Sequence, residues 1–163
     1  MPFFSKILLK TDSDDRGMDI ENQRFWEKEI ESGPVPKDES AFDVIVVGGG
    51  PAGSAAACYA ALDGNKVLLL EKSSYPKDKT CGDAVGGKSL GHVEELGVSE
   101  TLKSTPHFKF NSVLFSSPSG DEFRVELPDG RLAGYVFPRT QFDWILFHRA
   151  TKLVRKSGGS VIQ

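Results

Sequence analysis

Several familiar features are scarce or missing in this sequence, and each absence excludes something. Cysteine is scarce: there are two, Cys58 and Cys81, and their spacing forms neither a disulfide framework nor a metal-ligand pair. That usage fits a reducing, cytoplasmic setting. No apolar run approaches the roughly eighteen residues needed to span a membrane as a helix. Positive charge is not in excess either. A net charge of −3, with no basic stripe, argues against a general nucleic-acid binder. The hydrophobic fraction of 39% and charged fraction of 26% are those of an ordinary soluble domain, and 163 residues can bury a real core.

The informative stretch runs from residue 42 to residue 72. Val44 to Val47 is a continuous apolar run, the pattern of a strand buried on both faces of a parallel sheet. Gly48, Gly50 and Gly53 follow in G-x-G-x-x-G spacing. Gly48 allows a tight turn, Gly50 has no Cβ to hold a pyrophosphate away, and Gly53 lets a helix press against the strand. Pro51 suits the first helical turn. Ala52, Ala55, Ala56, Ala57, Ala60 and Ala61 give a helix that can lie close to a sheet, and Cys58 among them reads as a small buried hydrophobe. Gly64 is placed for a left-handed C-cap. Val67 to Leu70 reads as a second buried strand, ending at Glu71, where a carboxylate can accept bonds from ribose hydroxyls. No Gly-Lys-Ser/Thr follows the glycines, so a P-loop is excluded here. The whole is a βαβ unit that binds a dinucleotide.

The first forty residues read as a charged extension and linker, with the nucleotide-binding domain over 41–163. Phe3, Phe4, Ile7 and Leu8 would share one side of a short helix, either a docked tail or a contact with a membrane surface. A secretory signal would need a longer apolar region and a small-residue cleavage site. Asp19 to Glu31 reads as a helix packing through Phe25, Trp26 and Ile30, broken by Gly33-Pro34-Val35-Pro36. Cys81 to Gly87 reads as a glycine-rich loop on the carboxyl side of the sheet, where open α/β folds hold ligands. Leu90, Val93 and Leu96 mark a short helix ended by Gly97, and Ser99 is placed to cap a further turn. His92 reads as a surface residue of that helix.

From Phe108 the apolar period becomes two. Phe108 to Phe115 across a bulge, Phe123 to Leu127, and Leu132 to Phe137 predict an antiparallel meander over about 108–137, its aromatics forming a core face or lining a substrate cavity. A long helix follows, with Thr140 and Asp143 in capping-box spacing and Gly158-Gly159 as its stop. Arg139 stands at its start, near enough to meet a phosphate or a flavin edge, or else merely solvated. Ser160 to Gln163 opens another strand.

Together these pieces resemble the geranylgeranyl reductase family of flavoproteins, within the hydroxylase-like group of FAD enzymes. The motifs that carry the resemblance are Val46 to Ala56, Leu70-Glu71-Lys72, Asp78-Lys79-Thr80-Cys81-Gly82-Asp83-Ala84-Val85, and Arg139 to Leu146. The Cys-Gly-Asp-Ala-Val stretch is the narrowest of them and looks most like the archaeal enzymes that saturate geranylgeranyl chains of membrane lipids. The resemblance covers about 42–163. It implies a Rossmann-like FAD-binding fold in which Gly48, Gly50, Ala52 and Gly53 hold the pyrophosphate and Glu71 the adenosine ribose. Cys81, Gly82 and Ala84 would lie along the flavin, with Cys81 also in a catalytic role, and Arg139 would contact FAD. It further implies a prenyl lipid substrate and NAD(P)H or ferredoxin as electron donor. The family's later Gly-Asp motif and prenyl-tunnel motif have no counterpart, so the chain looks like an amino-terminal portion. Two other readings are a flavin monooxygenase or halogenase, against which Cys81-Gly82-Asp83 weighs, and a nucleotide-binding module without catalysis.

Overall fold

The computed structural model describes residues 24–37, 41–81, 83–128 and 131–163, with the backbone of Leu8–Leu9. In chain order the elements are β1 (Leu8–Leu9), β2 (Val44–Val47), α1 (Pro51–Leu62), β3 (Val67–Leu70), β4 (Ala84–Gly86), α2 (Lys88–Glu95), α3 (Ser99–Lys103), β5 (Phe108–Phe110), β6 (Ser112–Ser116), β7 (Glu122–Glu126), β8 (Gly134–Val136), α4 (Arg139–Lys156) and β9 (Ser160–Ile162).

The predicted βαβ unit is present. β2 and β3 run parallel with Val44 opposite Val67, and β9 joins β3 in parallel, giving the order β2-β3-β9. α1 and α4 pack closely together and against this sheet. Ala57, Cys58, Val67, Leu69, Phe147, Ala150, Val154 and Val161 are fully enclosed between them. Each large apolar side chain buried this way contributes about 1.5–3 kcal/mol, well above the few tenths that helix propensity supplies per residue. Packing therefore fixes α4. β2 is not buried on both faces as expected: among the described residues only one face of the sheet is covered, Val44 and Val46 joining the core while Ile45 and Val47 stand 60% and 80% exposed.

Three helices stop as their glycines predict. Gly64, Gly97 and Gly158 have φ of +87°, +69° and +77°. In each case the glycine and the next residue bond back into the last turn, as in Gly158 N–H to the Arg155 carbonyl and Gly159 N–H to that of Val154. This paired arrangement is the Schellman motif.

The predicted meander is not the observed arrangement. β6 and β7 form a hairpin that β1 extends, while β8 lies between β4 and β5 in a separate antiparallel sheet. Residues 81–87, expected as a loop, therefore supply a strand. Gly86 and Gly134 face each other in this sheet, and a Cβ on Gly86 would come within 2.7 Å of the Ala133 carbonyl oxygen. Close backbone approach, which apolar alternation does not signal, selects this pairing. Nor do most of the aromatics form a core face: Phe110 and Phe137 are buried, but Phe108, Phe115 and Phe123 are exposed, the last two stacked at 4.7 Å.

The amino-terminal expectations also change. Leu8–Leu9 is strand, not helix. Of the helix expected over 19–31, the described part holds one 3-10 turn, Phe25–Glu27. Carbonyls that a helix would use internally accept other donors: Lys28 from the Trp144 indole at 2.6 Å, Ile30 from Gln163 and Glu31 from Arg155. Trp26 and Ile30 still anchor the segment in the core. Two expected caps are also absent: Ser99 is the first residue of α3, and α4 begins at Arg139 after Pro138 with no side-chain cap.

Candidate functional site

The turn from β2 into α1 is built around one glycine peptide. Gly48 has φ +100° and donates to the Leu70 carbonyl at 2.7 Å, which seats the turn against β3. Gly49 N–H donates to Glu71 Oε2 at 2.6 Å, and the Gly49 carbonyl accepts from both Ser54 Oγ (2.7 Å) and Tyr75 Oη (2.6 Å). Tyr75 is buried and stacks on Phe147 with ring centroids 4.4 Å apart. Burial, with the nearby Asp143 and Glu71 carboxylates, pushes its phenol pKa up, so it stays protonated and able to donate.

The glycines divide by what a side chain would meet. A Cβ on Gly53 would strike the Gly48 carbonyl oxygen, and one on Gly49 would strike the Phe147 ring. At Gly50 an added Cβ meets nothing within 4 Å. Gly53 and Gly49 are thus required by packing, whereas the space at Gly50 opens into a cleft of about 870 Å³. Gly48, Ala52, Gly53, Glu71 and Arg139 also line this cleft, and Lys72, Lys77 and Lys79 bring positive charge to it. A small-residue floor at the start of an eight-residue-plus helix, with lysines above it, fits the pyrophosphate of a dinucleotide.

Glu71 ends β3 with 8% exposure. Its carboxylate accepts from Gly49 N–H, from Ser73 N–H at 2.9 Å, and from Lys77 Nζ at 2.8 Å. Burial raises its pKa, but the Lys77 bond and the two backbone donors outweigh that and hold it below the ordinary carboxylate value. A carboxylate has about four acceptor positions, so capacity remains for a ribose hydroxyl.

Arg139 opens α4 and reaches back to Asp143, with Nε to Oδ1 and Nη2 to Oδ2 both at 2.6 Å. Asp143 is 2% exposed, so this fork is a buried, oriented pair rather than the cap expected of Asp143. The four-residue spacing of Arg and Asp is itself the signal for such a pair. The Asp83 backbone N–H first, then Arg139, lower the pKa of the exposed Cys81 thiol. Cys58 behaves in the opposite way, burial pushing it up to about 11.

The predicted site residues thus gather at one end of the parallel sheet. Gly48, Gly50, Ala52, Gly53, Glu71 and Arg139 share the cleft; Cys81 does not line it, though Arg139 helps to lower its thiol pKa. Ala84 stands at the start of β4 on the wall of a neighbouring apolar cavity, with Pro51 on the same wall. Gly82 lies outside the described residues. The sequence reading missed Tyr75 and Lys77, which no periodicity or motif marks, and gave no role to Ser54 inside the Val46–Ala56 motif.

Residues 43–76 match the family described as FAD dependent oxidoreductase. Digeranylgeranylglycerophospholipid reductase 1 of Methanothermobacter thermautotrophicus is 40% identical over 107 residues, covering 62% of this chain and 25% of that protein. Menaquinone reductase of Mycobacterium tuberculosis is 38% identical over 98 residues, covering 60% and 23%. The chain therefore spans about a quarter of the length of these relatives. Among solved structures, a myxobacterial FAD-dependent chondrochloren halogenase superposes with a TM-score of 0.61 at 25% identity, over 74% of this chain and 28% of that one. Residues 43–76 are thus similar to the FAD dependent oxidoreductases, the chain has a Rossmann-like α/β fold, and FAD is its cofactor.

Proposed function

We propose that this chain supplies the FAD site of a reductase that saturates C=C bonds in the prenyl chains of isoprenoid lipids. The observation that carries this reading is Cys81. The narrow Cys81-Gly82-Asp83-Ala84-Val85 motif leads from the dinucleotide loop to β4, and Arg139, which lines the cleft, helps to lower the pKa of its thiol. The named activities of the two relatives above, both reductases of prenylated lipids or quinones, support it.

In this reading Gly48, Gly50, Ala52 and Gly53 hold the pyrophosphate and Glu71 the ribose, while Arg139, fixed by Asp143, faces the cofactor. Cys81, Gly82 and Ala84 lie along the flavin. When bound, FAD supplies the hydride chemistry. The protein's own part is to orient the ring, to keep the apolar chain dry against it, and to bring a proton to the second carbon through Cys81 or a water beside it. Electrons arrive from NAD(P)H or ferredoxin, and the lipid is met at a membrane surface. No described helix is long and apolar enough to cross a membrane.

The test is anaerobic. The FAD-loaded protein is photoreduced, mixed with a geranylgeranyl lipid, and followed by flavin absorbance and by mass spectrometry of the lipid. Reoxidation coupled to addition of two hydrogens per double bond is the expected result. Reoxidation only by oxygen, with the lipid unchanged, would overturn the reading in favour of a monooxygenase or halogenase.

A further inference from the structure

A second cleft, of about 660 Å³, lies between the segment around Lys28–Glu31, the start of α3 and α4. It shares no residue with the dinucleotide cleft. At 3.6 residues per turn, the α4 positions that line it fall on the face opposite Arg139 and Asp143. Lys28, Arg149, Lys152 and Arg155 surround it, against the carboxylates of Glu29 and Glu31. None of these four cations forms an ion pair among the described residues.

Two of the cations are held by backbone. Arg149 Nε donates to the Leu96 carbonyl at 2.9 Å and Arg155 Nη2 to that of Glu31 at 2.5 Å. Both guanidinium groups keep further N–H donors. The dipole of α4 explains basic residues in its last turn, where Arg155 and Lys156 stand. That effect fades within one turn, so it does not explain Arg149, two turns back, or Lys28, on another segment. His148 also lines the cleft, and its pKa is lowered by burial and then by Lys152 and Arg155. The cations are therefore close enough to be felt inside the cleft wall.

Several unpaired cations, two of them planar forks, suit a tetrahedral dianion better than a carboxylate.

We propose that this cleft binds a phosphate group, held by Lys28, Arg149 and Lys152. The phosphate comes from a soluble phosphorylated compound or from a phospholipid headgroup, and the two sources are separable by experiment.

The protein is first saturated with FAD, so that the dinucleotide cleft is filled. Inorganic pyrophosphate is titrated calorimetrically against sodium chloride of matched ionic strength, and flotation is measured with phosphatidylcholine vesicles with and without phosphatidic acid. Saturable binding of pyrophosphate identifies a soluble source, and flotation that depends on phosphatidic acid identifies a headgroup. Lys152→Glu, an exposed position, should weaken either response about tenfold or more while FAD affinity is unchanged. Lys28→Gln, also at an exposed position, should weaken the response several-fold with FAD affinity again unchanged. Binding to neither probe, or binding that both variants leave intact, overturns the proposal.

Discussion

The Tyr75 hydroxyl donates to the Gly49 carbonyl at 2.6 Å, across 26 positions of chain. Through that bond the loop after β3 grips the turn after β2, and the dinucleotide floor is fixed from above. Ser54 donates to the same oxygen. Tyr75→Phe should therefore cost only about 1 kcal/mol, or a fall of roughly 2–4 °C in melting temperature for a chain of this size. Adding Ser54→Ala should cost more than the two single changes together, because the buried carbonyl then has neither hydroxyl. Calorimetric melting of all four proteins closes the cycle.

Gly50 and Gly53 should fail in different ways. Gly50→Ala should melt like the wild type yet lose flavin, because the added methyl meets only open cleft. Gly53→Ala should lose the fold itself, because its methyl meets the Gly48 carbonyl. Circular dichroism and bound-flavin absorbance on both variants separate the two outcomes.

Glu71 links stability to pH. Its folded pKa lies below the ordinary 4.5, so its contribution is full above that ordinary value and fades as pH falls through the lower folded one. Urea midpoints of the wild type and Glu71→Gln should differ at about pH 7 and converge in acid below both values. Glu71→Ala should also weaken FAD binding roughly ten- to a hundredfold, the worth of a charged hydrogen bond.

The Arg139–Asp143 fork is a buried pair, and removing one partner leaves a charge uncompensated. Arg139→Met, which strands the buried Asp143 carboxylate, should destabilise by roughly 3–5 kcal/mol. The double change Arg139→Met with Asp143→Leu should cost less than Arg139→Met alone. Chemical denaturation of the wild type and both variants measures this directly.

Cys81 should react as a thiolate at lower pH than an ordinary cysteine. The pH profile of iodoacetamide labelling should have its midpoint below 9.0, the usual thiol value, and Arg139→Gln should move it upward. Cys58, buried and raised to about 11, should stay unlabelled until the protein unfolds. In the FAD-loaded protein, Cys81→Ser should keep flavin but slow its reoxidation by a prenyl lipid in stopped flow.

The parts of the fold that could be read in advance are those whose signal is local. Val44 to Val47 and Val67 to Leu70 show their strands in their own residues, although Ile45 and Val47 stay exposed, and Gly48, Gly64 and Gly158 mark turns by a backbone geometry that other residues resist. Strand partnership is not local. Phe108 to Phe110 reads the same whether it pairs with β6 or with β8, and the choice rests on Gly86 and Gly134 meeting across the sheet. The site divides the same way. Glu71 and Arg139 were legible from motif position, and Asp143 was noticed but given the wrong bond. Tyr75 and Lys77 sit on an irregular loop, where only the folded chain brings them to Gly49 and Glu71.

In the order β2-β3-β9, β2 is outermost, and no described strand pairs with its free side. Its four residues are Val44, Ile45, Val46 and Val47, without the proline, lysine or bulge that usually shields such an edge. The consequence is colloidal rather than catalytic. In concentrated solution an aliphatic edge that no described strand covers is a template for other extended chains, so storage of this polypeptide by itself should be limited by strand recruitment, with soluble protein lost faster at higher concentration even where its melting temperature is unchanged.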